Sequence, residues 1–435
     1  MKIAIAGYGI EGRSSLKYFR RKYPRAEFII VDQNDVKNPS DDIILHTGTN
    51  VFSERLNDVN LVIRTPSIAP YHIHTLGKMW SATNEFFAEC PAPIIGVTGT
   101  KGKGTTCSMI AAILRQAGKT VHVVGNIGVP GLDVLPDIRP SDVVIYELSS
   151  FQLWDLEKSP HIAVVLMVEP DHLDVHRAFD EYIDAKSNIC RYQQANDITI
   201  YHPANIYSQQ IALASGGDGR AYRFGIPDDF QVYVEGVYFM LQGRQICPVD
   251  ALRLPGGYNR DNACAAMSTA AMAFPNIAPE TYYHGLRLFT GLPHRLKFVA
   301  EKSGVKYYDD SIATTPGSAI AAIDAFEQPK VLILGGHDKG GDYTALAREI
   351  AQKNMRAVVL MGSNAEKIAK TIAEIAPQTE LIMRGKVAMS EIVRTAATAA
   401  QAGDVVILCP AAASFDQFTS YDDRGNQFVA AVEAL

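Results

Sequence analysis

The segment Ile94 to Thr106 reads IIGVTGTKGKGTT, an apolar run that passes directly into Gly99-Thr100-Lys101-Gly102-Lys103-Gly104-Thr105-Thr106. A strand, then glycines, then a helix is the order of parts that builds a phosphate cradle. Glycines turn the backbone through positive φ so that successive N–H groups face inward. The helix presents its positive end, and a lysine reaches the outer phosphates. Thr105 or Thr106 then offers a hydroxyl to Mg²⁺. The glycines depart from the G-x-x-x-x-G-K-[ST] spacing, so an ordinary Gly-rich turn competes with this reading. Two lysines in the turn favour an anion, and the segment marks a nucleotide user.

Around this segment, short apolar runs alternate with helical patterns, the signature of parallel sheets joined by helices, so the fold class is α/β. With 435 residues the chain exceeds what one core supports, and two or three domains are expected. Residues 1–90 carry expected strands at Ile3–Ala6, Phe28–Asp32 and Leu61–Arg64 and end in the linker Cys90-Pro91-Ala92-Pro93. Residues 91–290 open with the phosphate loop and continue through expected strands at Val121–Val124, Val143–Glu147, Ile162–Val168 and Ile198–Tyr201. There QVYVEGVYFM, Gln231 to Met240, alternates around Glu235-Gly236 like a hairpin, and a helix is expected over Asn259–Ala273. From Gly291 to residue 435 the alternation resumes, with strands expected at Lys330–Leu334, Ala357–Met361, Glu380–Met383 and Val405–Leu408.

A net charge of −6 with 20% charged residues excludes the basic excess that nucleic-acid backbones or anionic membranes demand. No apolar run approaches the roughly eighteen residues of a membrane span, and MKIAIAGYGIEG enters a strand without a signal-peptide pattern, so a cytoplasmic protein without membrane insertion is expected. The six cysteines form no CxxC pair, which argues against a disulfide framework or a zinc site.

Three further constellations can carry chemistry. Gly7-Tyr8-Gly9-Ile10-Glu11-Gly12 follows the first strand and Asp32 ends the second, which satisfies the dinucleotide fingerprint. That fingerprint certifies only a turn a pyrophosphate can approach, and a second nucleotide loop at Gly99 weakens a dehydrogenase reading. Glu147-Leu148-Ser149-Ser150-Phe151-Gln152 leaves an apolar strand where side chains meet a ligand crevice, and a carboxylate there can hold Mg²⁺. Asp171-His172-Leu173-Asp174 ends the next strand, with Lys186 on the helix beyond. Imidazole suits many metals, but an ammonium ligates none. Alone, His172 reads equally as a polar strand end and Lys186 as a solvated helix lysine.

Read in order, these segments resemble the Mur ligase family, and within it the branch that adds D-glutamate. The resemblance covers nearly the whole chain. It is carried by Gly99 to Lys103, Gly125-Asn126-Ile127-Gly128, Glu147 to Leu153, Asp171 to Asp174, Asp184-Ala185-Lys186, Asn259 with Asn262, Gly291-Leu292-Pro293-His294-Arg295, Asp310-Ser311, and Ser414 to Gln427. It implies three domains: a Rossmann-like one over 1–90 for a UDP-linked substrate, a central ATPase over 91–290, and a C-terminal Rossmann-like one over 291–435 for the amino acid. It implies ATP, two Mg²⁺ ions and a lysine carbamylated by CO₂ as the chemical equipment, with UDP-N-acetylmuramoyl-L-alanine and D-glutamate as substrates of a monomeric amide ligase.

By that resemblance Lys103, within Gly99 to Thr106, binds the ATP phosphates. Thr105 and Glu147 hold the first metal, and His172 with carbamylated Lys186 the second. Asn259 and Asn262 match the adenine contacts, Asp310 the ribose contact, and Arg295 an arginine that reaches the phosphates on domain closure. Gly9, Ile10, Asp32, Gln33, Asn126, Ser149 and Gln152 match the UDP-substrate side, and Thr314, Lys339, Ser414 and Tyr421 the D-glutamate side. Three positions depart from the pattern: Gly104 stands where Ser or Thr follows the loop lysine, Met167 replaces an asparagine, and Ile312 replaces a lysine. Gly104 is similar to folylpolyglutamate synthases. The alternatives are such an enzyme, a ligase for another amino acid or UDP-sugar, and a nucleotide-binding homologue without turnover.

Overall fold

The computed structural model describes residues 1–126, 129–221, 231–338 and 340–435. The first sheet is parallel, with strands in the order Ile44–Thr47, Glu27–Asp32, Lys2–Ala6, Leu61–Arg64, Lys78–Ser81. Its inner strands are nearly continuous apolar runs because helices cover both faces. Strand order reverses between Lys2–Ala6 and Leu61–Arg64, and the Gly7 turn lies at that point. Gly7 has φ +88°, and a Cβ there would stand 2.1 Å from Thr65 Oγ1, so no other residue fits.

The central sheet is also parallel: Asp218–Ala221, Ile198–Tyr201, Ile162–Val165, Ile94–Thr98, Val143–Glu147, Val121–Gly125. The phosphate-loop strand therefore lies between the strands that lead to Glu147 and to Asp171. The latter strand ends at Val165, short of the expected Val168. Leu166 N still bonds to Thr98 O, but Val168 N turns to the Asn205 side chain, so Asp171 to Asp174 belong to a loop beyond the strand.

The expected hairpin forms from Tyr233–Glu235 and Tyr238–Leu241 about Gly236, and a third antiparallel strand, Arg244–Pro248, extends it. The helix expected from Asn259 begins two residues earlier, spanning Gly257–Ala273. The last sheet runs Lys297–Lys302, Val305–Asp309, Val405–Leu408, Lys330–Gly335, Met355–Met361, Leu381–Gly385, parallel except for the first pair.

The chain divides into two compact units, residues 1–252 with 260–289, and residues 253–259 with 290–435. Within the first, one apolar cluster runs from Ile3, Phe19 and Phe86 through Tyr146 and Leu148 to Tyr182, so the two parallel layers share a core. Arg64, 0% exposed, fastens them: its guanidinium bonds to both Asp155 oxygens at 2.6 and 2.8 Å and to Phe151 O at 2.9 Å. All six cysteines are free. Among the described residues no helix is long and apolar enough to cross a membrane.

Candidate active site

At the carboxyl end of the strand Ile94–Thr98 the chain turns through Gly99 (φ +151°) and Gly102 (φ +83°) into the helix Lys103–Gln116. Gly102 is the N-cap residue, and a Cβ on it would stand 2.4 Å from Asn262 Oδ1. Lys103 folds back over the loop, with Nζ donating to Gly99 O and Thr100 O at 3.1 Å each. Lys101 points outward, 64% exposed, with Nζ 3.6 Å from Glu169 Oε2. Thr105 and Thr106 are buried in the first helical turn, and Thr106 Oγ1 lies 3.4 Å from Asn262 Oδ1. Gly104 leaves the position after Lys103 without a hydroxyl, and Thr105 is the next.

Lys186 occupies the floor of this loop. It lies on the helix Phe179–Arg191 but is 1% exposed, which overturns the picture of a solvated helix lysine. Its Nζ donates to Thr98 Oγ1 at 3.2 Å and Gly99 O at 3.1 Å, and stands 4.6 Å from the centre of the Tyr182 ring. Burial, and then the charge of Lys103, push its ammonium well below the ordinary lysine range, while Asp171 and Glu147 act the other way. Buried Glu147 takes a bond from Asn126 Nδ2 at 3.2 Å; Ile127 and Gly128 of that motif lie outside the described residues. Ser149 and Gln152 form a capping box on a short helix, Ser150–Leu153.

His172 has φ +54° and is half exposed, with its ring 4.9 Å from Phe151. Sequence reasoning passed over His176, one turn on: it is buried, its Nε2 lies 3.0 Å from Ser150 Oγ, and its ring packs on Phe151 and Trp154. The spacing His172 to His176 was its only signal. Among the described residues no three or more His, Cys, Asp or Glu side chains group into a metal cage. Glu147, on the strand paired with the one that leads into the phosphate loop, offers the kind of carboxylate that suits Mg²⁺, which takes one or two carboxylates and completes its shell with phosphate oxygens and water.

A cavity of about 940 Å³ opens at the Gly7 turn. Gly9, Asp32 and Gln33 line it, as do Arg13, His72 and, from the central layer, Asp174. Asp32 does not face it with free oxygens: one accepts Tyr8 N at 2.7 Å and the other Asn34 N at 2.8 Å, so it fixes the turn. Ile10 stands exposed at the helix start beside it.

In the second unit, buried Asp310 accepts Leu296 N at 3.0 Å and is pushed up to about 7, by burial against the opposing pull of that bond and of Arg295. Burial pushes the Tyr258 and Tyr421 hydroxyls up, against the opposing pull of the Arg295 charge. His294 Nδ1 pairs with Asp309 at 2.6 Å. Ser311 Oγ donates to Tyr421 O, and Arg424, 0% exposed, holds Ser311 and Ala412 O. Ser414 is buried and Thr314 half-buried; Ile312 N bonds to His294 O. Asn259 donates to Pro255 O within this unit, while Asn262, on the same helix, lies in the first. Lys339 lies outside the described residues.

Residues 97–270 match the family model of the Mur ligase middle domain and residues 294–412 that of the Mur ligase glutamate ligase domain. The chain is 34% identical to the UDP-N-acetylmuramoylalanine–D-glutamate ligase of Acetivibrio thermocellus, over 100% of this chain and 96% of that one. Among solved structures, the UDP-N-acetylmuramate-alanine ligase of Thermotoga maritima superposes with a TM-score of 0.62 at 18% identity, covering 100% and 99% of the two chains. The folylpolyglutamate synthase of Mycobacterium tuberculosis complexed with ADP gives 0.61 at 14% identity, over 80% of this chain and 93% of that one.

Proposed function

The chain belongs to the Mur ligase family, and on that premise we propose that it is the ATP-dependent ligase that joins D-glutamate to UDP-N-acetylmuramoyl-L-alanine in making a cytoplasmic peptidoglycan precursor. The observation that carries this reading is the convergence of Lys103, Lys186, Glu147 and the Asp171 to Asp174 loop at the carboxyl ends of three adjacent parallel strands. The full-length likeness to a D-glutamate ligase supports the choice of amino acid.

In this reading the amides and Lys103 of Gly99 to Thr106 hold the triphosphate, with Asn259 and Asn262 at adenine, Asp310 at ribose and Arg295 at the phosphates. Thr105 and Glu147 hold one Mg²⁺, and His172 with Lys186 the other; the ions supply the positive charge that lets a carboxylate approach a triphosphate. Lys186 serves as a carbamate. Its depressed ammonium favours the neutral amine, whose lone pair attacks CO₂ and releases one proton to leave an anionic oxygen. The alanyl carboxylate attacks the γ-phosphorus, ADP leaves, and the D-glutamate amine displaces phosphate from the acyl phosphate through a tetrahedral intermediate. Thr314, Lys339, Ser414 and Tyr421 hold the D-glutamate carboxylates. Gly9, Ile10, Asp32 and Gln33 receive the UDP moiety, and Asn126, Ser149 and Gln152 the acyl end. The enzyme acts as a monomer.

An enzyme similar to folylpolyglutamate synthases, which extend a folate with glutamate, is the second reading, favoured by Gly104. The 940 Å³ cavity at the Gly7 turn argues against it, because that reaction gives a second nucleotide site no role. Phosphate release decides: release that requires ATP, UDP-N-acetylmuramoyl-L-alanine and D-glutamate together supports the ligase. Release on adding a folate transfers the chain to the other class, and nucleotide binding without release makes it an inactive homologue.

A further inference from the structure

Glu11 stands in the first turn of the helix Ile10–Lys22, two residues after the cavity-lining Gly9 and two residues before Arg13, which also lines the cavity. Its side chain crosses to the central layer. There Oε1 accepts Gln152 Nε2 at 3.0 Å, across 141 positions of sequence. The carbonyl end of the same amide accepts Ser149 N at 3.0 Å and meets Ser149 Oγ at 3.2 Å. A primary amide looks nearly alike when flipped, so its orientation is set by what each end meets. Here an acceptor at the nitrogen end and a donor at the oxygen end admit one orientation only. One N–H is committed to Glu11.

The arrangement is expensive. Glu11 Oε2 is shut off from solvent and has no hydrogen-bond partner among the described residues, a cost that a residue selected for packing alone would avoid. Buried Arg64 offsets part of it through its charge while binding Phe151 O and Asp155. The N-terminal layer thus grips the segment 151–155 at three points, just beyond Glu147 and Ser149.

Resting on the ligase reading above, we propose that Glu11 is a positioning residue that sets the Gln152 amide for the acyl end of the UDP-linked substrate, so that the turn receiving the nucleotide also prepares the site of phosphorylation.

Binding of UDP alone, compared with binding of UDP-N-acetylmuramoyl-L-alanine, separates this role from a nucleotide contact. Glu11→Ala is expected to weaken the full substrate about tenfold, the worth of one well-placed hydrogen bond, while UDP affinity and the KM for ATP change by less than about twofold. Glu11→Gln, which retains an acceptor, restores most of the loss. Gln152→Ala in the Glu11→Ala background adds little, because the two act as one unit. Should Glu11→Ala fold poorly, Glu11→Met fills similar space without an acceptor and must give the same selective loss. An equal loss for UDP and full substrate, additive effects of the two substitutions, or unchanged substrate affinity in a folded variant overturns the proposal. The ligase reading is judged separately: if the unsubstituted protein releases no phosphate with both substrates, that reading fails whatever Glu11 does.

Discussion

Lys101 and Lys103 stand two residues apart in one loop, yet only Lys103 is folded onto the backbone that would cradle phosphates. Lys103→Ala removes the closest fixed cation from the charge that develops during phosphoryl transfer, so turnover should fall by at least ~100-fold in a coupled ADP-release assay. Lys101→Ala should stay within a few-fold. A second residue, Asp310, makes a claim about pH. Its carboxyl sits at about 7 when folded, against an ordinary 3.8, so between those values the folded chain holds the extra proton. The stability this provides is complete below about pH 4 and is lost as pH rises toward 7, on the order of a few kcal/mol. His294, raised by Asp309, has the same sign. Asp310→Asn should flatten the fall in denaturant midpoint between pH 4 and 7; an unchanged slope would show that the carboxyl is not protonated in the fold. These residues also mark where sequence reading ran out. Lys103, Glu147 and Asp310 could be singled out as candidates because their motifs are local, whereas the burial of Lys186 and the reach of Glu11 depend on partners 87 and 141 positions away.

At the scale of elements, the strands that read most clearly are the central ones, whose apolar runs are buried on both faces, such as Ile94–Thr98 and Val405–Leu408. Two edge strands, Val121–Gly125 and Leu381–Gly385, could also be read, but others gave no such signal. Ile44–Thr47, Lys78–Ser81 and Lys297–Lys302 are half exposed and mixed in composition, so pairing with a neighbour defines them and periodicity does not. The phosphate loop depends on one such pairing in space. Gly102 caps its helix in the left-handed region and packs against Asn262, so Gly102→Ala is strained twice, by φ +83° and by a contact of 2.4 Å. Because loop and asparagine must shift together, the KM for ATP should rise by about tenfold or more, with a smaller loss of thermal stability. A variant that loses thermal stability while its KM for ATP stays unchanged would assign Gly102 to the fold alone.

The whole molecule contains two tryptophans, and both lie in the first unit: Trp80 in the N-terminal layer, with Nε1 on Glu85 at 3.0 Å, and Trp154 in the central layer against His176. Fluorescence therefore reports each layer of that unit separately, once Trp80→Phe or Trp154→Phe removes the other signal. The shared apolar cluster and the Arg64 bonds to Asp155 and Phe151 O join the layers, so both signals should move in one cooperative transition as denaturant is added. Breaking a buried ion pair from one side leaves the other charge without its partner and costs about 3–5 kcal/mol. Arg64→Ala does this to Asp155 and also frees Glu11 of the only positive charge that offsets its burial among the groups acting on it. The N-terminal layer should then lose its hold on the central one: the Trp80 signal should change at lower denaturant than the Trp154 signal, and the KM for UDP-N-acetylmuramoyl-L-alanine should rise more than that for ATP. Coincident transitions in Arg64→Ala, shifted by less than about 1 kcal/mol, would mean that the apolar cluster alone joins the layers.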